Sequence, residues 1–150
     1  MSLKTYDPKK VSVIIGGHIV TGYADGAFVT AARNNDTWTR VGGADGEQTR
    51  AKSNDKSGRI TITLMQSSNS NAVLQGFMTA DETANSGLIP ALIKDVNGTD
   101  ICSAELGWLV KPADRGFAKE NSNREWIYET SELQFVGGGI PKSTSSQAST

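Results

Sequence analysis

One histidine and one cysteine are all that this chain offers of two side chains most used near neutral pH as bases, nucleophiles or soft metal ligands. His18 lies in a strand-like run beside Gly17, and a lone imidazole with no candidate partner reads as structural. Cys102 sits in another β-type run and reads as a small buried apolar residue with no mark of a nucleophile. The pair cannot build a typical zinc site. Asp45-Gly46-Glu47 lacks the alternating ligand series of a calcium loop and reads as a turn. Gly42-Gly43 and Gly137-Gly138-Gly139 precede no helix opening with Lys-Ser/Thr, so neither is a phosphate cradle. Asn97-Gly98-Thr99 matches a glycosylation sequon and reads as a turn. The carboxylate pairs Glu125/Glu129 and Glu129/Glu132 could act as acid–base couples, but 16 acids in 150 residues make chance pairs expected. Trp108, Trp126 and Tyr128 could form an aromatic strip for sugars or bases, although such residues more often serve as core or subunit contact. No convergent reactive set emerges. The expectation is a protein that is not an enzyme and carries no cofactor and no metal.

The totals point the same way. A length of 150 residues suits one domain with a real core. Basic and acidic residues number 15 and 16, a net charge of −1. A protein that grips nucleic acid through its phosphates carries a clear basic excess, so DNA binding is not expected, whereas passing DNA without holding it is compatible. A single cysteine forms no intrachain disulfide, which suits a reducing cytoplasm. Residues 1–10 hold no apolar signal core, and no apolar run approaches membrane-spanning length. A soluble protein outside the general export route is expected.

The elements that would position any site read mainly as β. Val11–Ile15, broken by Gly16-Gly17 and resumed at His18, gives a hairpin or a bulge. Asp25-Gly26 signals a turn before a strand at Phe28–Ala31. Gly58–Leu64 alternates strictly, with Ile60, Ile62 and Leu64 on one face and Arg59, Thr61 and Thr63 on the other. Val73, Leu74, Phe77 and Met78 form an apolar stripe that predicts a helix over 69–80. Leu88–Val96 reads as a strand interrupted at Pro90, and Asn97-Gly98 as a hairpin turn. Asp100–Leu109 follows as a strand with Ala104, Leu106 and Trp108 on one face. Glu125–Phe135 reads as one long last strand in which Leu133 and Phe135 alternate with Glu132 and Gln134. The expected fold is a two-sheet sandwich or small barrel with one capping helix and a long polar hairpin. It would span 1–140, with 141–150 as a Ser/Thr-rich tail.

That hairpin, over Asn34–Arg59, is the informative segment. Trp38 and Val41 are its only large apolar residues, and its charges alternate in sign. Trp38-Thr39-Arg40-Val41 and Thr49-Arg50-Ala51-Lys52 flank the glycines as β-compatible arms. With so little core it cannot offset its own ordering entropy, so it should become rigid against a neighbouring molecule. Trp38, Thr39, Arg40, Val41, Glu47, Thr49, Arg50 and Lys52 are the expected subunit contacts.

Tyr6–Gly17, the polar hairpin after Phe28, Gly58–Leu64 and Ser67–Leu74 together resemble the small tail tube proteins of contractile-tailed phages. Those proteins are similar in fold to the secreted tube protein of type VI secretion systems. The resemblance runs over roughly residues 2–140. It implies two packed sheets plus a helix, six copies in a ring, and rings stacked into a hollow tube inside a sheath. The implied partners are further copies, the sheath protein, and baseplate and tube terminator proteins, with DNA as passing cargo and no membrane. The implied location is the virion tail, after synthesis in the host cytoplasm. The acid-rich stretch from Asp95 to Glu132 would contribute to a lumen wall that repels DNA. The competing readings are a monomeric ligand-binding β module, a hydrolase using Glu125 and Glu129, and another virion role such as a tube terminator or a capsid decoration protein.

Overall fold

The computed structural model describes residues 11–137, apart from positions 25, 27, 96, 97, 118, 120 and 121. The proposed tail at 141–150, the start of the resemblance at Tyr6, and parts of the Asp25-Gly26 and Asn97-Gly98 turns lie outside the described residues.

Among the described residues there are ten strands and one helix. The strands are β1 (Val11–Ile15), β2 (His18–Ile19), β3 (Val29–Arg33), β4 (Trp38–Gly42), β5 (Gln48–Lys52) and β6 (Gly58–Met65). After the helix α1 (Ser70–Ala84) come β7 (Ile89–Asp95), β8 (Ile101–Leu109), β9 (Asn123–Thr130) and β10 (Gln134–Val136). Eight strands form one antiparallel sheet in the order β2-β1-β7-β8-β9-β6-β3, with β10 on β8, and β4 and β5 form a second, two-stranded sheet. The large sheet folds over itself like a sandwich and is not a closed barrel. Its inner faces meet in a single core. Val13, Ile15, Ala91 and Ile93 come from one half, and Ile60, Ile62, Leu64, Trp126 and Tyr128 from the other.

Gly16-Gly17 is the hairpin alternative: both glycines have positive φ, at 59° and 86°, and Ile15 pairs with His18 across them. Two left-handed residues in a two-residue loop match the twist of the strands they join. The alternation in β6 predicts its burial: Ile60, Ile62 and Leu64 are fully buried, each worth about 1.5–3 kcal/mol.

The helix begins where expected and runs one turn further, to Ala84, where Asn85 adopts a left-handed conformation. Leu74 and Met78 are buried, Val73 and Phe77 half-buried, and Phe77 lies over Gly16. Its first turn is tied to the sheet by Asn71. That side chain donates to the carbonyls of Met65 (2.9 Å) and Gln66 (3.3 Å) and accepts the indole N–H of Trp126 at 2.9 Å.

Two strands depart from the expected pattern. In β8, Ala104 points inward, but Leu106 is exposed and Gly107 and Leu109 are the buried ones. The cause is a bulge: Ile89 pairs with Gly107 while Ala91 pairs with Ala104, so β8 carries one extra residue opposite Pro90. An extra residue reverses every face beyond it, and Trp108 therefore stands on the outer face beside Glu129. The expected last strand is two strands. β9 pairs with β6 and the end of β8, β10 pairs with the start of β8, and the chain steps aside between them to bury Leu133 and leave Phe135 exposed.

Tyr128 fixes the bulge from inside. It is fully buried, and its hydroxyl donates to the Ile89 carbonyl at 2.6 Å. Burial pushes its pKa from 10.0 up to about 12. The phenolate is the disfavoured form in the folded state, so this stabilisation is complete below pH 10 and lost as pH rises toward about 12. Alkaline unfolding followed by circular dichroism should steepen across that window, and Tyr128→Phe should remove that component. A wild-type profile flat across the window would contradict the assignment.

Candidate assembly interface

The hairpin is built as the sequence suggests. β4 and β5 pair in register from Trp38↔Lys52 to Gly42↔Gln48, and all ten of their residues are exposed. Each strand alternates, which divides the side chains between two faces. Trp38, Arg40, Arg50 and Lys52 share one face, and Thr39, Val41, Thr49 and Ala51 share the other. On the first face the Arg50 guanidinium lies 3.9 Å from the Trp38 ring centroid, with the Lys52 ammonium at 6.0 Å. Such stacking contributes about 0.5–1 kcal/mol at an exposed site. Arg40 stands directly opposite Arg50, an arrangement that destabilises an isolated strand pair. Glu47 accepts the Gly43 N–H through its carbonyl at 2.7 Å, and its own N–H reaches the Asp45 carboxylate at 3.2 Å, closing the turn.

A clasp of polar bonds joins the hairpin to the body. Asn34 N–H donates to the Ser57 carbonyl (3.0 Å) and Ser53 N–H to that of Thr37 (2.7 Å). The Asp55 carboxylate accepts from Ser57 N–H at 2.9 Å and from the Asn35 amide at 2.6 Å. The backbone bond from Ser57 is the chief reason that the Asp55 pKa falls below its usual value. The clasp is therefore complete at neutral pH and weakens as pH falls through that lowered value. Arg33 completes the root, its Nε donating to the Leu133 carbonyl at 3.1 Å.

The residues that could have carried chemistry are scattered. His18 Nε2 meets Ser70 Oγ at 3.0 Å and sits against the helix start. Cys102 is half-buried rather than fully buried, at the open mouth of the sandwich with Val11, Val29, Ala31, Ile93 and Phe135. Burial, and secondarily Asp100, push its thiol pKa up, away from nucleophilic character. Glu129 pairs with Arg59 at 2.5 Å across the outer face, while Glu125 lies opposite Thr63, about 13 Å along the strand. Trp126 and Tyr128 are buried while Trp108 faces outward, so the three aromatics form no common strip. Among the described residues no group of three metal-ligating side chains comes together, and no helix is long and apolar enough to cross a membrane.

A β sandwich whose acids, histidine and cysteine converge on no common site among the described residues, and which holds out a charged two-stranded arm, has the build of a structural subunit. The comparisons define which one. The family model described as Bacteriophage PhiTE tail tube protein matches residues 11–138, and the chain belongs to that family. The family is a structural one and not a family of enzymes. The chain is also 30% identical over 154 residues to Structural protein ORF10 of Pseudomonas phage KPP10, covering 97% of this chain and 89% of that one. It shares its fold with a chain of the anti-feeding prophage tube-terminating cap, at a TM-score of 0.62 and 8% identity over 92% of this chain and 95% of that one. A chain of the sheath–tube complex of the PVC extracellular contractile injection system matches at a TM-score of 0.58 and 8% identity, covering 87% and 90%. The protein is thus a tail tube-like structural component of a phage virion.

Proposed function

We propose that six copies of this chain close into a ring and that rings stack into the inner tube of a contractile tail, through which DNA passes during ejection. The observation that carries this reading is the hairpin: ten exposed strand residues, paired only with each other, held off the body by a polar clasp. Such an arm gains its packing from a neighbour. Trp38, Thr39, Arg40, Val41, Glu47, Thr49, Arg50 and Lys52 are the proposed subunit contacts. The large sheet ends in β2 and β3, whose outer edges lack partners within the described residues, and edge-to-edge joining around a ring removes that liability. Head-to-tail contacts of this kind close into rings when the rotation allows. The sheath protein would surround the tube, baseplate and terminator proteins would meet its ends, and synthesis would take place in the host cytoplasm.

Negative-stain microscopy of the purified protein tests the reading directly. Rings or tubes are expected, and a strict monomer at high concentration would count decisively against it. Trp38→Ala should abolish tube growth while costing the subunit no more than about 1 kcal/mol, the worth of its exposed cation stacking, because Trp38 is 46% exposed. If circular dichroism showed the variant unfolding, Trp38 would belong to the core and the hairpin assignment would fail.

A further inference from the structure

We infer that the cationic face of the hairpin docks in an acidic groove on a second copy, the groove that opens where β9 breaks from β10. The inference rests on the tube reading and adds the receiving surface to it.

The groove follows from the two irregularities of the sheet. Gly107 pairs with Thr130, and Ser103 with Gln134, in one continuous register along β8. Between those pairs the strands part: β8 carries its bulge, and the opposite chain turns aside to bury Leu133. Thr130 Oγ bridges the gap at one end by donating to the Leu106 carbonyl at 2.7 Å. What remains is an open cavity of about 250 Å³. Its charged lining residues are Glu105 and Glu132, with no basic residue among them, and Leu106, 56% exposed, supplies apolar surface. Lys56 stands beyond Glu132, lining the neighbouring depression.

The hairpin presents the complement. Its cationic face offers Arg40, Arg50 and Lys52 around an exposed indole. Arg40 is set against Arg50 across the strand pair and makes no ion pair among the described residues. Glu105 is likewise without an ion pair among the described residues. Each surface thus carries charge that the isolated subunit leaves uncompensated, of opposite sign, beside an exposed apolar side chain. The groove borders the hairpin root, since Glu132 bridges Lys56 and the Leu133 N–H donates to the Lys56 carbonyl at 2.8 Å. A copy that inserts its arm into its neighbour's groove therefore leaves its own groove open for a third. The contact is heterologous and self-propagating, and charge pairing of this kind fixes register and partner choice.

The test uses two variants of the full chain, Arg40→Glu/Arg50→Glu and Glu105→Lys/Glu132→Lys. All four positions are exposed, so circular dichroism should show both variants folded. Alone, each sets like charges against like, and sedimentable assembly should fall by about tenfold or more. Mixed in equal amounts, the variants present opposite charges at every contact, and assembly should return. Normal assembly by Glu105→Lys/Glu132→Lys, or a mixture that stays dispersed, would overturn the groove and assign its charge to another partner. An unsubstituted chain that never assembles would sink the groove and the tube reading together, whereas assembly indifferent to these charges would sink the groove alone.

Discussion

Trp126→Ala should destabilise the subunit by about 3–5 kcal/mol, the range for emptying a large aromatic site in a packed core. Trp126 is 2% exposed and lies on the inner face of β9 opposite Ile62. Its loss leaves a cavity between the sheet and α1, and it also deprives the Asn71 side-chain carbonyl of its donor. Asn71 in turn holds the carbonyls of Met65 and Gln66, which end β6 and lead into the helix. At about 2–4 °C per kcal/mol for a domain of this size, the melting temperature should fall by roughly 10 °C. Trp126→Phe separates the two contributions, since it retains most of the apolar contact and costs about 1–3 kcal/mol for the unsatisfied amide. A Trp126→Ala variant as stable as the wild type in calorimetry would mean that the helix is not anchored through this indole.

Gly107→Ala should be nearly as damaging, although it adds only a methyl group. A Cβ at Gly107 would come 2.4 Å from the Glu129 carbonyl oxygen and 2.4 Å from the Tyr128 ring. Neither neighbour can yield cheaply, because Glu129 is held in the ladder with β6 and Tyr128 is locked by its bond to Ile89. Overpacking against rigid atoms costs about 1–3 kcal/mol and sometimes more, and here the displaced phenol loses its hydrogen bond as well. A loss of about 3 kcal/mol in the free energy of unfolding by urea is expected. Gly76→Ala supplies the contrast: a Cβ at that helical position meets nothing within 4 Å, so the change should stabilise by about 0.5–1 kcal/mol. Equal effects at the two sites would show that glycine's backbone freedom, rather than the space at Gly107, governs both.

Much of the body was legible because its signals are local. β6 announces itself by alternation, α1 by its stripe, and the arm by β-compatible residues around glycines with almost nothing apolar. The missed features are those in which one residue changes a register. Nothing in Glu105-Leu106 marks a bulge, so Leu106 and Trp108 read as core when the extra residue turns them outward. The step between β9 and β10 leaves only a faint mark, a shift of the alternation from even positions (Trp126, Tyr128, Thr130) to the odd position of Leu133, while the pairing partner changes. The groove is made by these two irregularities together, so it could not be read from either segment alone. The helix outruns its apolar stripe because Asp81–Ala84 holds no large apolar residue, and the stop comes from Asn85. The pairing of Trp126 with Asn71 joins residues distant in sequence with no motif to connect them.

The separation of the arm from the body also sets an order of events. β4 and β5 are neighbours in sequence and pair only with each other, and hairpins of this size form in about 1–10 μs. The body depends on β1 finding β7 and β6 finding β9, pairings across long stretches of chain that place folding in the millisecond-to-second range typical of such β topologies. The two strands of the connector can therefore meet, and part again, long before the surface that receives them exists, because the groove exists only once β8, β9 and β10 have met. A newly made chain can offer its arm but cannot yet accept one, and growth proceeds only onto subunits that have finished folding.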